Sequence, residues 1–166
     1  REAYRAYVEG GWGTLAGPTE FGGEGLPLSL ASVVMEDLGS ANMGFSLVMM
    51  LTPGAVEALK HHGSAELQQA WLPKLVSGEW TGTMNLTEPQ AGSDVGALRM
   101  RAREVEGGFV LNGEKSWISS ANISNLFLLF ATVDPTRRHG GITAFIVPGE
   151  SAGLTTTKLH GKLGVR

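Results

Sequence analysis

The strongest constraint on this chain is a change of hydrophobic period near Gly78. Upstream, apolar residues recur at helical spacing; downstream, they come in short runs bounded by turn residues. Helices followed by strands make an α+β chain. The boundary divides it into a helical unit over 1–79 and a strand-rich unit over 80–166.

Within the first unit, REAYRAYVE (1–9) reads as the end of a helix with Tyr4 and Val8 at i, i+4. Seven glycines and Pro18 make 10–26 a connecting loop. Leu28, Ala31, Met35 and Leu38 predict a helix stopped by Gly39. Ser40 then caps a second helix over about 41–51, apolar nearly all round, so it is either plain core or the wall of a pocket around Met49, Met50 and Leu51. Thr52-Pro53 reads as the cap and first position of a third helix, which ends in Lys60, His61, His62 and Gly63. Ser64 caps a fourth helix, and Pro73 restarts a short turn through Val76.

In the second unit, Asn112-Gly113 lies between apolar runs, a strong hairpin signal. LFLLFATV (126–133) is continuous enough for a buried strand; ITAFIVP (142–148) and LTTTKL (154–159) follow as strands. DPTRRHGG (134–141) reads as an exposed loop.

Composition narrows the function. A net charge of −3 with no basic run argues against a nucleic-acid partner. No apolar run reaches the ~18 residues of a membrane span. The absence of Cys excludes disulfides and thiolate metal sites and suits a reducing compartment, with the cytoplasm as the expectation. The four His lack ligand spacing, so no metal site is expected. Neither GxGxxG, GxxxxGK[ST] nor GxSxG occurs, so any nucleotide must be held in another way. The chain opens on Arg and closes on KLGVR, and both ends are expected to be cut.

One stretch admits two readings. MNLTEPQAGSDVG (84–96) is either a strand-to-loop exit, with Thr87 and Ser93 satisfying local backbone groups, or a loop shaped to lie against a ligand. Two features favour a ligand. Gly92-Ser93 leaves the backbone open to close approach. KSWISSA (115–121) sets an indole between hydroxyls, and two such segments at strand ends can hold a flat heterocycle.

QQAWLPKLVSGEW (68–80), LTEPQAGSD (86–94) and FVLNGEKSWISSA (109–121), in this order, resemble the flavin-dependent acyl-CoA dehydrogenases. GGWGTLAGPTEFGGEGLP (10–27) resembles the start of that family's core, and the likeness covers nearly the whole chain. The first half is similar to the branch acting on methylthio-propanoyl-CoA, the second to the general short- to medium-chain type. The resemblance implies an N-terminal helical domain, here partial, then a small antiparallel β-barrel domain, with the family's C-terminal helical bundle missing. That bundle carries the carboxylate base, so no catalytic residue is expected in this chain, and Glu88 belongs to the loop.

The implied activity is FAD-dependent α,β-dehydrogenation of an acyl-CoA thioester. The implied partners are an electron-transfer flavoprotein as acceptor and further copies of the chain in a homodimer or homotetramer. By motif match, Met84 and Leu86 contact the flavin through backbone atoms, and Thr87 donates to its N1/C2 carbonyl edge. Gly92 and Ser93 close the loop, with Ser93 also facing the CoA arm. Trp117 packs on the ring, and Ile118 and Ser119 reach the N5/C4 carbonyl edge. Arg137 and Arg138 are placed to meet the CoA phosphate or, on charge alone, form a solvated cluster. A same-fold acyl-CoA oxidase, a flavin monooxygenase and a non-catalytic fragment are the competing readings.

Overall fold

The computed structural model describes residues 1–163. Helices come first: α1 (Glu2–Glu9), α2 (Leu28–Ala41), α3 (Met43–His62) and α4 (Ala65–Val76). Strands follow: β1 (Gly82–Asn85), β2 (Arg101–Val105), β3 (Gly108–Asn112), β4 (Leu126–Thr132) and β5 (Ile142–Pro148).

Three helix boundaries differ from the sequence reading. α2 runs through Gly39 and Ser40, and Asn42 is the cap of the next helix, its side chain accepting from the Phe45 N–H at 2.9 Å. α3 continues through Thr52-Pro53. The Thr52 hydroxyl accepts from the Gly82 N–H of β1 at 3.1 Å, so it serves the sheet and caps nothing. A proline inside a helix costs about 3 kcal/mol. Burial of Met49, Ala55, Val56 and Leu59 along one face offsets that cost. α4 likewise contains Pro73, and Ser64 caps it as expected, accepting from Leu67 N–H.

β4 is the hub of the sheet. β5 pairs antiparallel along its whole length, β1 pairs parallel with its first half and β2 meets it parallel at Thr132. The expected antiparallel β-barrel is borne out in part: the described residues form a mixed five-stranded sheet, antiparallel at β2–β3 and β4–β5 and parallel where β1 and β2 meet β4. The segments between β1 and β4 are long enough for the crossover that parallel pairing needs. Both faces of β4 are buried, which explains its unbroken apolar run. Leu126 and Leu128 join Ala55, Val56, Leu59, Leu72, Leu75 and Val76 in one core. Leu129 and Ala131 join Leu98, Met100 and Ala102 in a second.

Two strand expectations fail. The hairpin turn falls at Glu106-Gly107, where Gly107 supplies φ 80°, and not at Asn112-Gly113. The residues after Gly113 are instead drawn to the 84–94 loop by Lys115 and Ser116. Residues 154–159 carry no ladder and are mostly exposed. Helix and sheet approach closely at Gly82, where a Cβ would sit 2.9 Å from Ala55 Cβ. This contact fixes where α3 lies over the strand that leads into the site.

Candidate functional site

β1 ends at Asn85 and the chain turns at once into a tight loop, closed by reciprocal backbone bonds between Glu88 and Ala91 at 3.0 and 3.1 Å. Segment 115–120 arches beside it. Its near end is held by the Ser116 N–H donating to the Thr87 carbonyl at 2.9 Å. Its far end is held by the Thr83 hydroxyl donating to the Ser119 carbonyl at 2.7 Å. The arch is thus tied at its near end to the first loop and at its far end to β1.

Behind them lies a buried ion pair. Lys115 Nζ donates to Glu88 Oε1 at 2.8 Å and to the Leu86 carbonyl at 3.0 Å. Glu88 also accepts from the Met100 N–H (3.0 Å), the Arg99 N–H (2.7 Å) and Gln90 Nε2 (2.7 Å). Both side chains are nearly inaccessible, at 7% and 3% exposure. Burial by itself raises the Glu88 carboxyl, but the bonds from Lys115, Arg99, Met100 and Gln90 outweigh it and hold it below the ordinary value. Burial pushes the Lys115 ammonium down, opposed by Glu88. Every acceptor direction of the carboxylate is taken, which leaves Glu88 no free lone pair to act as a base.

The front of the site is open. Trp117 is 69% exposed and adopts φ 61°, and Ser120 has φ 63°. Left-handed backbone is uncommon for such residues and costs about 1–3 kcal/mol each where it occurs. Among the described residues, the backbone N–H groups of Leu86, Thr87, Trp117, Ile118 and Ser119 have no protein acceptor. Five donors on two adjoining segments, beside an exposed indole, suit a flat ring edged with nitrogen and carbonyl acceptors.

The other sequence-derived residues fall as follows. Met84 directs its methyl end at Gly54 of α3, and Leu86 packs on the second core. Gly92 and Ser93 are exposed at the loop. A Cβ on Gly92 would meet nothing within 4 Å, so the protein itself does not demand glycine there. Arg138 pairs with Asp94, the neighbour of Ser93, at 3.2 Å, which brings the 134–141 turn beside this loop. Arg137 lies against Gly140 and makes no ion pair among the described residues. Met49 and Met50, but not Leu51, line a cavity of about 580 Å³ with Tyr4, Tyr7, Trp12 and Met35.

Lys115, Thr83 and Asn85 escaped the sequence reading. Thr83 is fully buried, and the Asn85 side chain donates to the Thr83 carbonyl at 3.1 Å. Their partners are mostly tens of residues away, so no local spacing announced them. The one available signal was the charged pair Glu114-Lys115 at the mouth of a loop that is otherwise uncharged through Ala121.

Fold and site together define a helical domain joined to a mixed-sheet domain, with a pinned loop pair at the strand ends. The chain belongs to the acyl-CoA dehydrogenase family: residues 1–79 match its N-terminal domain and residues 83–166 its middle domain. It is 39% identical to 3-methylmercaptopropionyl-CoA dehydrogenase of Ruegeria pomeroyi, over 100% of this chain and 31% of that protein. It superposes on a glutaryl-coenzyme A dehydrogenase in complex with glutaryl-CoA with a TM-score of 0.94 at 31% identity, covering 99% of this chain and 42% of that one. A glutaryl-CoA dehydrogenase from Mycobacterium smegmatis in complex with FADH2 gives a TM-score of 0.89 at 27% identity, covering 99% and 41%. The chain thus spans about a third of the length of the curated relatives it matches. No helix among the described residues is long and apolar enough to cross a membrane.

Proposed function

We propose that this chain forms the flavin- and CoA-facing part of an enzyme that dehydrogenates an acyl-CoA thioester between its α and β carbons. The observation that carries the reading is the pair of stitched segments, whose unpartnered amides and exposed indole adjoin one another. FAD, when bound, supplies the acceptor for the β-hydrogen as hydride.

The chain's own residues hold and shield. The Thr87 hydroxyl and the backbone of Met84 and Leu86 would hold one edge of the ring, and Ile118 and Ser119 the other. A donor beside the pyrimidine edge stabilises negative charge on the reduced ring and so favours reduction. The Trp117 indole would cover the ring and exclude water. Gly92 and Ser93 would admit the CoA arm, and Arg137 with Arg138 would meet its phosphate. The cavity lined by Met49 and Met50 lies in the helical unit over 1–79, which we read as the acyl side, with 80–166 as the cofactor side. With all of Glu88's acceptor positions occupied, the proton-abstracting base is sought elsewhere in the enzyme. The R. pomeroyi relative, named for a short sulfur-bearing thioester, supports a short acyl substrate. An electron-transfer flavoprotein is the proposed acceptor, and a homodimer or homotetramer the proposed assembly.

The test is a visible spectrum of the native protein, followed by bleaching with a panel of acyl-CoAs. A yellow chromophore bleached by a short acyl-CoA is expected; none after FAD reconstitution sinks the reading. Anaerobic turnover with an electron-transfer flavoprotein, against peroxide release in air, separates dehydrogenase from oxidase. An unchanged Michaelis constant for acyl-CoA in Arg137→Ala/Arg138→Ala would remove the phosphate assignment.

A further inference from the structure

The Glu88–Lys115 pair has no part in the proposed reaction, yet Glu88 is the most heavily bonded charged side chain among the described residues. Stability does not account for it. Replacing a buried ion pair by apolar groups of similar volume is often neutral or stabilising. What the pair does geometrically is specific. Lys115 grips the first loop at two atoms, the Leu86 carbonyl and Glu88 Oε1. Glu88 grips the residues leading into β2 through the Arg99 and Met100 amides. Ser116, next in sequence to Lys115, donates to Thr87, and Trp117 follows directly. A shift of the lysine therefore reaches the indole through two peptide units. The far end of the arch is tied independently by Thr83 to Ser119.

We propose that the Glu88–Lys115 pair is a positioning device, which sets the spacing between the loop carrying Thr87 and the arch carrying Trp117 and so governs how the cofactor is held. The first half of this statement concerns the protein alone; the second rests on the flavin reading. Neither residue is proposed to touch substrate or cofactor. Both act through backbone segments, as residues behind a metal site act through its ligands, where their loss costs roughly 10–100-fold in affinity or activity.

The informative variant is the double substitution Glu88→Gln/Lys115→Met in the native protein, which leaves no unpaired buried charge. Hydrogen exchange across residues 113–121 reads the spacing without any cofactor. The FAD dissociation constant, the flavin midpoint potential and the fine structure of its absorption band read the consequence. We expect faster exchange confined to the arch and its loop, with helical segments α3 and α4 unchanged. Loss of FAD affinity by roughly 10–100-fold and a displaced potential should accompany it. Gln90→Ala removes one donor from an exposed residue and should weaken FAD by about 2–10-fold. Unaltered exchange across 113–121 in a folded double variant overturns the proposal, whatever its melting temperature does. Should the double variant fail to fold, an unaltered arch and FAD affinity in Gln90→Ala overturn it instead. Should the arch loosen in a protein that never binds FAD, positioning stands and the flavin reading falls.

Discussion

The back and the front of this site are built on opposite principles. Behind the loops, Glu88 and Lys115 are buried and bonded in every direction available to the carboxylate. In front, Trp117 stands exposed on left-handed backbone beside amides with no acceptor among the described residues. Order is invested where nothing binds, and unmet bonding capacity is left where something can. This is how a site is made ready before its ligand arrives: supporting groups are locked so that the presenting groups need not reorganise. The two regions should therefore differ in what each loses when it is altered.

The largest effect should come from the back. Lys115→Met leaves a carboxylate buried at 3% exposure without its cation. Breaking a buried pair from one side typically costs about 3–5 kcal/mol. Three other donors remain on Glu88, so the low end of about 3 kcal/mol is expected in denaturant unfolding. The double variant with Glu88→Gln should recover most of that loss. If it recovers none, the charge is not what destabilises the single variant.

The same region sets an acid limb. The folded Glu88 carboxyl is lowered from 4.5, so its contribution is complete above that value and disappears as the pH falls through the folded value. Urea unfolding from about pH 6 down to about pH 3 should show stability falling in that window, and Glu88→Gln should flatten the fall. An identical acid limb in the variant would mean that Glu88 titrates alike in both states.

The two regions also differ in how far the sequence revealed them. The front was legible because its chemistry is local: hydroxyls, glycines and an indole cluster in two short stretches. β4 was legible for the same reason, as one apolar run buried on both faces. The back was not, because Lys115 and Glu88 stand 27 residues apart and neither carries a spacing rule. The break expected at Thr52-Pro53 fails for this cause, whereas the shift of the helix cap from Ser40 to Asn42 is local. Thr52 looks like a cap until Gly82, 30 residues on, takes its hydroxyl, and Asn112-Gly113 looks like a hairpin until Lys115 draws the chain away. Local propensity loses wherever a distant partner offers a better bond.

At the front, stability and binding should part company. Trp117→Gly releases left-handed strain of about 1–3 kcal/mol, of which the greater unfolded-state freedom of glycine returns about 0.5–1 kcal/mol. The covered third of the indole forfeits a contribution of similar size, up to about 2 kcal/mol. The variant should therefore unfold within about 1 kcal/mol of the parent while holding FAD less tightly. A loss of more than about 3 kcal/mol, the size of a core truncation, would mean that the indole packs on protein, and the front would then resemble the back.

The smallest effect is expected at Gly92, where the comparison is sharpest. A methyl group there meets no protein atom within 4 Å, and the residue is outside left-handed space. Gly92→Ala should accordingly shift unfolding stability by no more than about 0.5 kcal/mol, the ordinary range for an exposed change. If the glycine exists for close approach of a ligand, the same methyl must weaken FAD or acyl-CoA binding, because it occupies space that only the ligand contests. A fall in binding at constant stability would assign the residue to the ligand. No change in either would return this part of the loop to an ordinary turn, whose order comes wholly from the buried pair behind it.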